Sequence, residues 1–190
     1  MIKVVFERRH MHEASNQAFG QFDKESEVSH AGHHGLQRGE ADIGVELAHA
    51  GLDRVNISLD TLRPERFLQM TRRDELVRVL DGIEAAKEAG FNPVKINAVV
   101  ERGVNDDEIV AMAAFGRERN VEVRFIEFMP LDASGHCMND KVVSQDEIVA
   151  AINAVYPLEQ VAARGSAPAD RWRYTDGAGM IGVIPTITKP

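Results

Sequence analysis

From residue 55 onward the chain alternates between two hydrophobic rhythms. Val55-Asn56-Ile57-Ser58-Leu59-Asp60 switches between apolar and polar at each step and is rich in branched residues, which predicts a strand. Pro64 suits the first turn of a short helix. Leu76, Val79, Leu80 and Ile83 then recur at helical spacing and predict a helix from about Glu75 to Ala89, stopped by Gly90. Val94 to Val100 reads as the next strand. Asn105 followed by Asp106, Asp107 and Glu108 predicts a capped helix start, with Glu108 in the capping-box position and Ile109, Met112 and Ala113 as the apolar stripe. Val121 to Met129 predicts a third strand. Ser144 and Glu147 form a second capping box, before Ile148, Ala151, Ile152 and Val155, and Pro157 ends that helix. Trp172–Tyr174 and Met180–Ile184 are strand-like, and Asp176-Gly177-Ala178-Gly179 between them makes a hairpin turn.

Strand, helix, strand, helix, strand, helix is the order of an α/β fold with parallel strands and right-handed crossovers. Three such units make a small sheet, and parallel sheets are normally covered on both faces. The pattern therefore predicts part of a larger sheet or barrel. Residues 1–45 differ. They hold five of the seven histidines, few aliphatic residues and no sustained period, and are expected to be poorly structured. The expected division is thus 1–45, and then 46–190 as a partial barrel ending in a hairpin.

Composition narrows the function classes. Of the 190 residues 44% are hydrophobic, ordinary for a globular protein, and the formal net charge is -8. An acidic chain is a poor sequence-independent nucleic-acid binder. No apolar run reaches the length of a membrane span and Met1 to Arg9 has no apolar signal core, so a cytoplasmic location is expected, with no membrane partner. The single cysteine, Cys137, allows neither an internal disulfide nor a cysteine metal site.

Several residues carry candidate chemistry. Gly177-x-Gly179-x-x-Gly182 has dinucleotide-loop spacing, but Val183-Ile184-Pro185 follows instead of a helix, so the run reads as a turn. His10, His12, His30, His33 and His34 have workable metal-ligand spacing without acidic or cysteine companions, and read as a His-rich tract. Cys137 beside His136 reads as an incidental thiol. Lys95 and Arg124 are basic residues inside strands, placed either on a solvated face or in a site, and both suit a phosphate. Asn97 shares the parity of Lys95. Parallel α/β folds bind ligands at the carboxyl ends of strands, which brings Ser58, Asp60, Glu127 and Met129 into consideration.

Several stretches in order resemble one family: Gly51-Leu52-Asp53-Arg54-Val55-Asn56-Ile57-Ser58-Leu59-Asp60, Val94-Lys95-Ile96-Asn97, Arg102-Gly103-Val104-Asn105-Asp106-Asp107-Glu108, Arg124-Phe125-Ile126-Glu127-Phe128-Met129-Pro130, and Arg173-Tyr174 with Gly182-Val183-Ile184. From about Glu46 to Pro190 the chain resembles the radical S-adenosylmethionine GTP 3′,8-cyclases that begin molybdenum cofactor synthesis. The resemblance implies part, roughly the second half, of an incomplete (β/α)6 barrel. It implies two [4Fe–4S] clusters, S-adenosylmethionine and GTP, with a 5′-deoxyadenosyl radical taking hydrogen from the ribose C3′ before the new radical attacks guanine C8. By the same resemblance Ser58 and Met129 contact S-adenosylmethionine, Lys95 and Arg124 hold GTP, and a homodimer is the family analogy. The cluster cysteines are absent from these residues, since clusters need several thiolates. The expectation is a truncated chain without radical chemistry of its own. Its alternatives are a residual nucleotide- or partner-binding module and one half of a split enzyme.

Overall fold

The computed structural model describes residues 4–7, 54–129, 139–162 and 169–188. In chain order the elements are β1 (Val4–Glu7), β2 (Arg54–Ser58), α1 (Pro64–Thr71), α2 (Leu76–Glu88), β3 (Val94–Val100), α3 (Ile109–Arg119), β4 (Glu122–Glu127), α4 (Gln145–Asn153), β5 (Leu158–Val161), β6 (Asp170–Tyr174) and β7 (Met180–Ile184). The chain divides into two compact units, Met1–Ile57 with Val77–Val94, and Ser58–Leu76 with Lys95–Pro190.

In the first unit β1 runs antiparallel to β2, with Val4 opposite Ile57 and Glu7 opposite Arg54. This strand lies in the segment expected to be poorly structured. Val4-Val5-Phe6 is a short β-favouring run, and the lack of a longer period hid it. Helix α2 buries Val79, Ile83 and Ala86 along one stripe, as its spacing predicts. Gly90, at a φ of 90°, then turns the chain in a conformation that side chains disfavour.

In the second unit β3, β4 and β7 are parallel neighbours, with Lys95 opposite Glu122 and Arg124 opposite Gly182. Strand β6 pairs antiparallel with β7, and β5 antiparallel with β6. The expected hairpin is β6–β7, and its turn holds Gly177 and Gly179 at positive φ. The Gly177–Gly182 run is therefore a turn entering a strand. Strand β5 was not foreseen. Glu159 and Gln160 are exposed in it, so only the geometry of an edge strand marks it.

Helix α4 opens as expected. The Ser144 side chain accepts from the Glu147 N–H at 3.3 Å, and the Ser144 N–H donates to the Glu147 carboxylate at 2.9 Å. The helix ends at Asn153, so Val155, expected in its stripe, is exposed beyond it. Helix α3 departs further from expectation. A 3-10 turn over Asp106–Glu108 precedes it, and neither start has a side-chain cap. The Asn105 carboxamide instead accepts from Glu101 N–H at 2.8 Å and donates to the carbonyls of Asp60 at 2.7 Å and Val99 at 2.8 Å. Glu108 is buried and accepts from the Thr61 hydroxyl at 2.6 Å, the Leu62 N–H at 2.8 Å and the Arg66 guanidinium. These polar residues tie loops together across some 40 residues of sequence, where local spacing had suggested a helix cap.

Helix α3 lies close on β4. At Gly116 an added Cβ would stand 2.7 Å from Val123 Cγ2 and 3.1 Å from the Val121 carbonyl. Arg117 lies over the rings of Tyr156 and Tyr174, and pairs with Asp176 at 2.6 Å. Burial pushes the Tyr174 hydroxyl's pKa up, against the opposing pull of Arg117.

Candidate functional site

Side-chain alternation gives the sheet of the second unit two unlike faces. Ile96, Ala98, Val100, Val123, Phe125, Ile181, Val183, Trp172 and Tyr174 share one parity and are all buried. The opposite parity carries Lys95, Asn97, Glu122, Arg124, Gly182 and Arg171. An apolar face is the ordinary requirement of a core. A second face with this many charged and amide groups at partial burial needs another explanation.

Lys95 is only 8% exposed, at the second position of β3 and in register with Glu122. Arg124 is in register with Asn97 on the same face, which puts the Lys95 and Arg124 Cα atoms about 8 Å apart by ordinary sheet spacings. Arg124 donates from Nε to Glu122 Oε1 at 3.0 Å, with its side chain 18% exposed. It is partly buried and paired with Glu122. The Asn97 Oδ1 is buried and has no hydrogen-bond partner. A buried carboxamide oxygen without a donor is costly, and costly groups are characteristic of sites completed by a ligand.

Ser58 closes β2, half-buried, and the next residue, Leu59, donates its N–H to the Asn97 carbonyl of β3 at 3.0 Å. Met129 follows β4 and is exposed at 47%. It lies five residues on from Arg124, about 16 Å along an extended chain. Lys95, Arg124 and Asn97 are thus brought together on one face. Ser58 and Met129 stand at strand ends.

Two carboxylates raised by the strand-end argument have structural duties. Asp60 accepts from the Val99 N–H at 2.8 Å, and burial nonetheless pushes its carboxyl's pKa up. Glu127 is fully buried. One of its oxygens accepts from the N–H groups of Thr186, Ile187 and Thr188, each at 3.0 Å. The other accepts from Gln145 N–H at 2.8 Å and from the Thr188 hydroxyl. Burial works against its charge, but the donors outweigh it and hold the carboxyl below its ordinary value. Sequence reasoning missed Glu122 and Arg171. The parity Glu122-x-Arg124 in β4, parallel to Lys95-x-Asn97 in β3, is a signal that could have found the first.

Comparison with known families and proteins gives matches over most of the chain. Residues 41–116 match the Radical SAM superfamily and residues 121–190 match Molybdenum Cofactor Synthesis C. The mixed α/β fold is that of the Radical SAM superfamily, which residues 41–116 match. Within it the likeness is to GTP 3′,8-cyclases. It is 47% identical to that of Streptomyces coelicolor over 146 residues, 76% of this chain and 43% of the relative. It is 42% identical to that of Synechococcus over 160 residues, 78% of this chain and 46% of the relative. It is 40% identical to GTP 3′,8-cyclase 3 of Mycobacterium tuberculosis over 151 residues, 79% of this chain and 40% of the relative. The chain thus spans less than half the length of these curated relatives.

A [4Fe–4S] cluster is held by several thiolates. These 190 residues contain one cysteine, Cys137, which like the His-rich stretch lies outside the described residues. Among the described residues no three His, Cys, Asp or Glu side chains are grouped to hold a metal ion. The residues present do not fit a cluster of their own. Among the described residues, too, no helix is long and apolar enough to cross a membrane.

Proposed function

We propose that residues 54–188 form part of the substrate-binding wall of a GTP 3′,8-cyclase, whose whole activity converts GTP to (8S)-3′,8-cyclo-7,8-dihydroguanosine triphosphate. Lys95 and Arg124 contact GTP in this reading, and Ser58 and Met129 contact S-adenosylmethionine. The observation that carries it is the polar face: Lys95, Arg124 and Asn97 adjoin on one side of a sheet whose other side is apolar. Two cations set into strands suit the triphosphate, since an ammonium and a guanidinium give charge-assisted hydrogen bonds to phosphate oxygens. The buried Asn97 oxygen offers an acceptor to a ligand hydroxyl or amine. Ser58 and Met129, one polar and one thioether, can meet an adenosyl or methionyl moiety without charge.

Radical chemistry generated at a cluster must come from thiolates these residues do not supply. Their own contribution is to bind and orient. This favours a second reading for the 190-residue chain alone, a nucleotide-binding module without turnover.

Calorimetric titration with GTP tests the common core of both. Wild type should bind, and Lys95→Ala should bind roughly tenfold or more weakly, the loss expected for one charge-assisted contact. Heats that are negligible, or equal for the two proteins, would overturn the assignment.

A further inference from the structure

One row of the sheet runs through four strands. Asn97 in β3 is opposite Arg124 in β4, Arg124 is opposite Gly182 in β7, and Gly182 is opposite Arg171 in β6. Two arginines therefore flank a position with no side chain. The gap is occupied from the side: an ideal Cβ on Gly182 would stand 3.2 Å from Arg124 Cγ and 3.4 Å from Ala169 Cβ. The glycine thus lets Arg124 lie low across the sheet towards Arg171.

The buried Glu122 carboxylate joins the two. Its Oε1 accepts from Arg124 Nε at 3.0 Å, and its Oε2 accepts from the terminal nitrogen Nη2 of Arg171 at 3.0 Å. One anion between two cations leaves the trio with one positive charge. Arg124 engages Glu122 through Nε, one of the five N–H donors of its guanidinium. Arg171 is held by a terminal nitrogen, which also approaches Met180 Sδ at 3.6 Å, while its Nε is buried without a hydrogen-bond partner. A purely structural Arg–Glu–Arg bridge calls for no bare glycine between its arginines. It also gives no reason for an unpaired buried N–H, which costs stability wherever a ligand does not complete it.

We propose that Arg171 is a further ligand-binding residue, the second jaw of a phosphate fork whose first jaw is Arg124, laid across Gly182. Glu122 is its positioning residue, fixing both guanidiniums at once. The ligand class is the polyphosphate of a nucleoside triphosphate, so the inference rests on the nucleotide reading above. Planar guanidiniums on either side of a phosphoryl group give directed hydrogen bonds that a lone lysine cannot.

The test titrates the 190-residue chain calorimetrically with three probes: GTP, inorganic tripolyphosphate and guanosine. Arg171→Ala should weaken GTP and tripolyphosphate together by about tenfold to a hundredfold and leave guanosine unchanged, as loss of a charge-assisted hydrogen bond predicts. Arg171→Lys should lose a smaller part of this, because charge remains and the fork does not. Glu122→Gln separates positioning from charge. Removing an anion beside a polyphosphate should tighten binding by electrostatics alone, whereas loss of a positioning group should weaken it. Gly182→Ala should weaken polyphosphate binding with Arg124 and Arg171 both intact. If Arg171→Ala fails to fold, Arg171→Lys and Gly182→Ala still decide the matter. Wild-type GTP affinity in Arg171→Ala or Arg171→Lys, alongside loss in Arg124→Ala, would overturn the fork and leave the nucleotide reading standing. No binding of any probe by wild type would overturn both.

Discussion

Glu122 and Glu127 begin and end the same strand, and both are buried, yet they do opposite work. Glu122 faces the polar side and holds two arginines. Glu127 faces the core side and gathers four backbone N–H groups and a hydroxyl. Replacing Glu127 by Gln should cost about 2–3 kcal/mol, because the amide supplies one neutral acceptor where charge-assisted bonds stood. Urea denaturation reads this as a lower midpoint at unchanged slope. The pH dependence has a definite sign. A carboxyl held below its ordinary value of 4.5 contributes stability above that value and loses it as pH falls through the lowered one. Wild type should therefore lose stability on acidification below about pH 4.5, and Glu127→Gln should show a flatter acid limb over the same range. Lys95 and Arg124 were legible as unusual because alternation places them inside strands. Glu127 was not, since its partners return from some 60 residues further along, and no local spacing encodes that.

At the scale of elements, two helix starts that look alike in sequence part company. The Ser144–Glu147 box forms, and the hydrogen bond from the Ser144 N–H, then Arg102, lower the Glu147 carboxyl to about 2. Ser144→Ala should cost about 1 kcal/mol, the usual worth of a cap, seen as a shift in the denaturation midpoint. Asn105–Glu108 has similar spacing, but a buried loop network takes both side chains. A cap motif can be read from sequence only when its residues stay at the surface, where nothing competes for them. Strand periods were legible wherever one face is apolar, as in β3 and β4. They failed at β5, whose middle residues are exposed. The close seat of α3 on β4 was equally hidden, since nothing local tells why Gly116 is glycine. Gly116→Ala should destabilise by about 1–3 kcal/mol through overpacking against Val123 and the Val121 carbonyl, measurable by thermal melting.

For the molecule as a whole, the sequence announced a mixed α/β radical SAM fold through the order of its motifs more than through any one of them. A single cysteine in 190 residues sets the clearest global expectation. Anaerobic reconstitution of the purified chain with iron and sulfide should yield no iron–sulfur charge-transfer absorption in proportion to monomer, because a cluster needs several thiolates. Appearance of one cluster per chain would require ligands other than cysteine. The Glu127 carboxylate also acts beyond its own strand. Three successive N–H groups after β7 converge on one of its oxygens, so the heading on which the backbone leaves the sheet is steered by a charge. Apolar packing would yield to heat or denaturant, in a cooperative transition. A charged rudder yields to a proton, so acid below about pH 4.5 should loosen residues 186–188 while the strands behind them still hold.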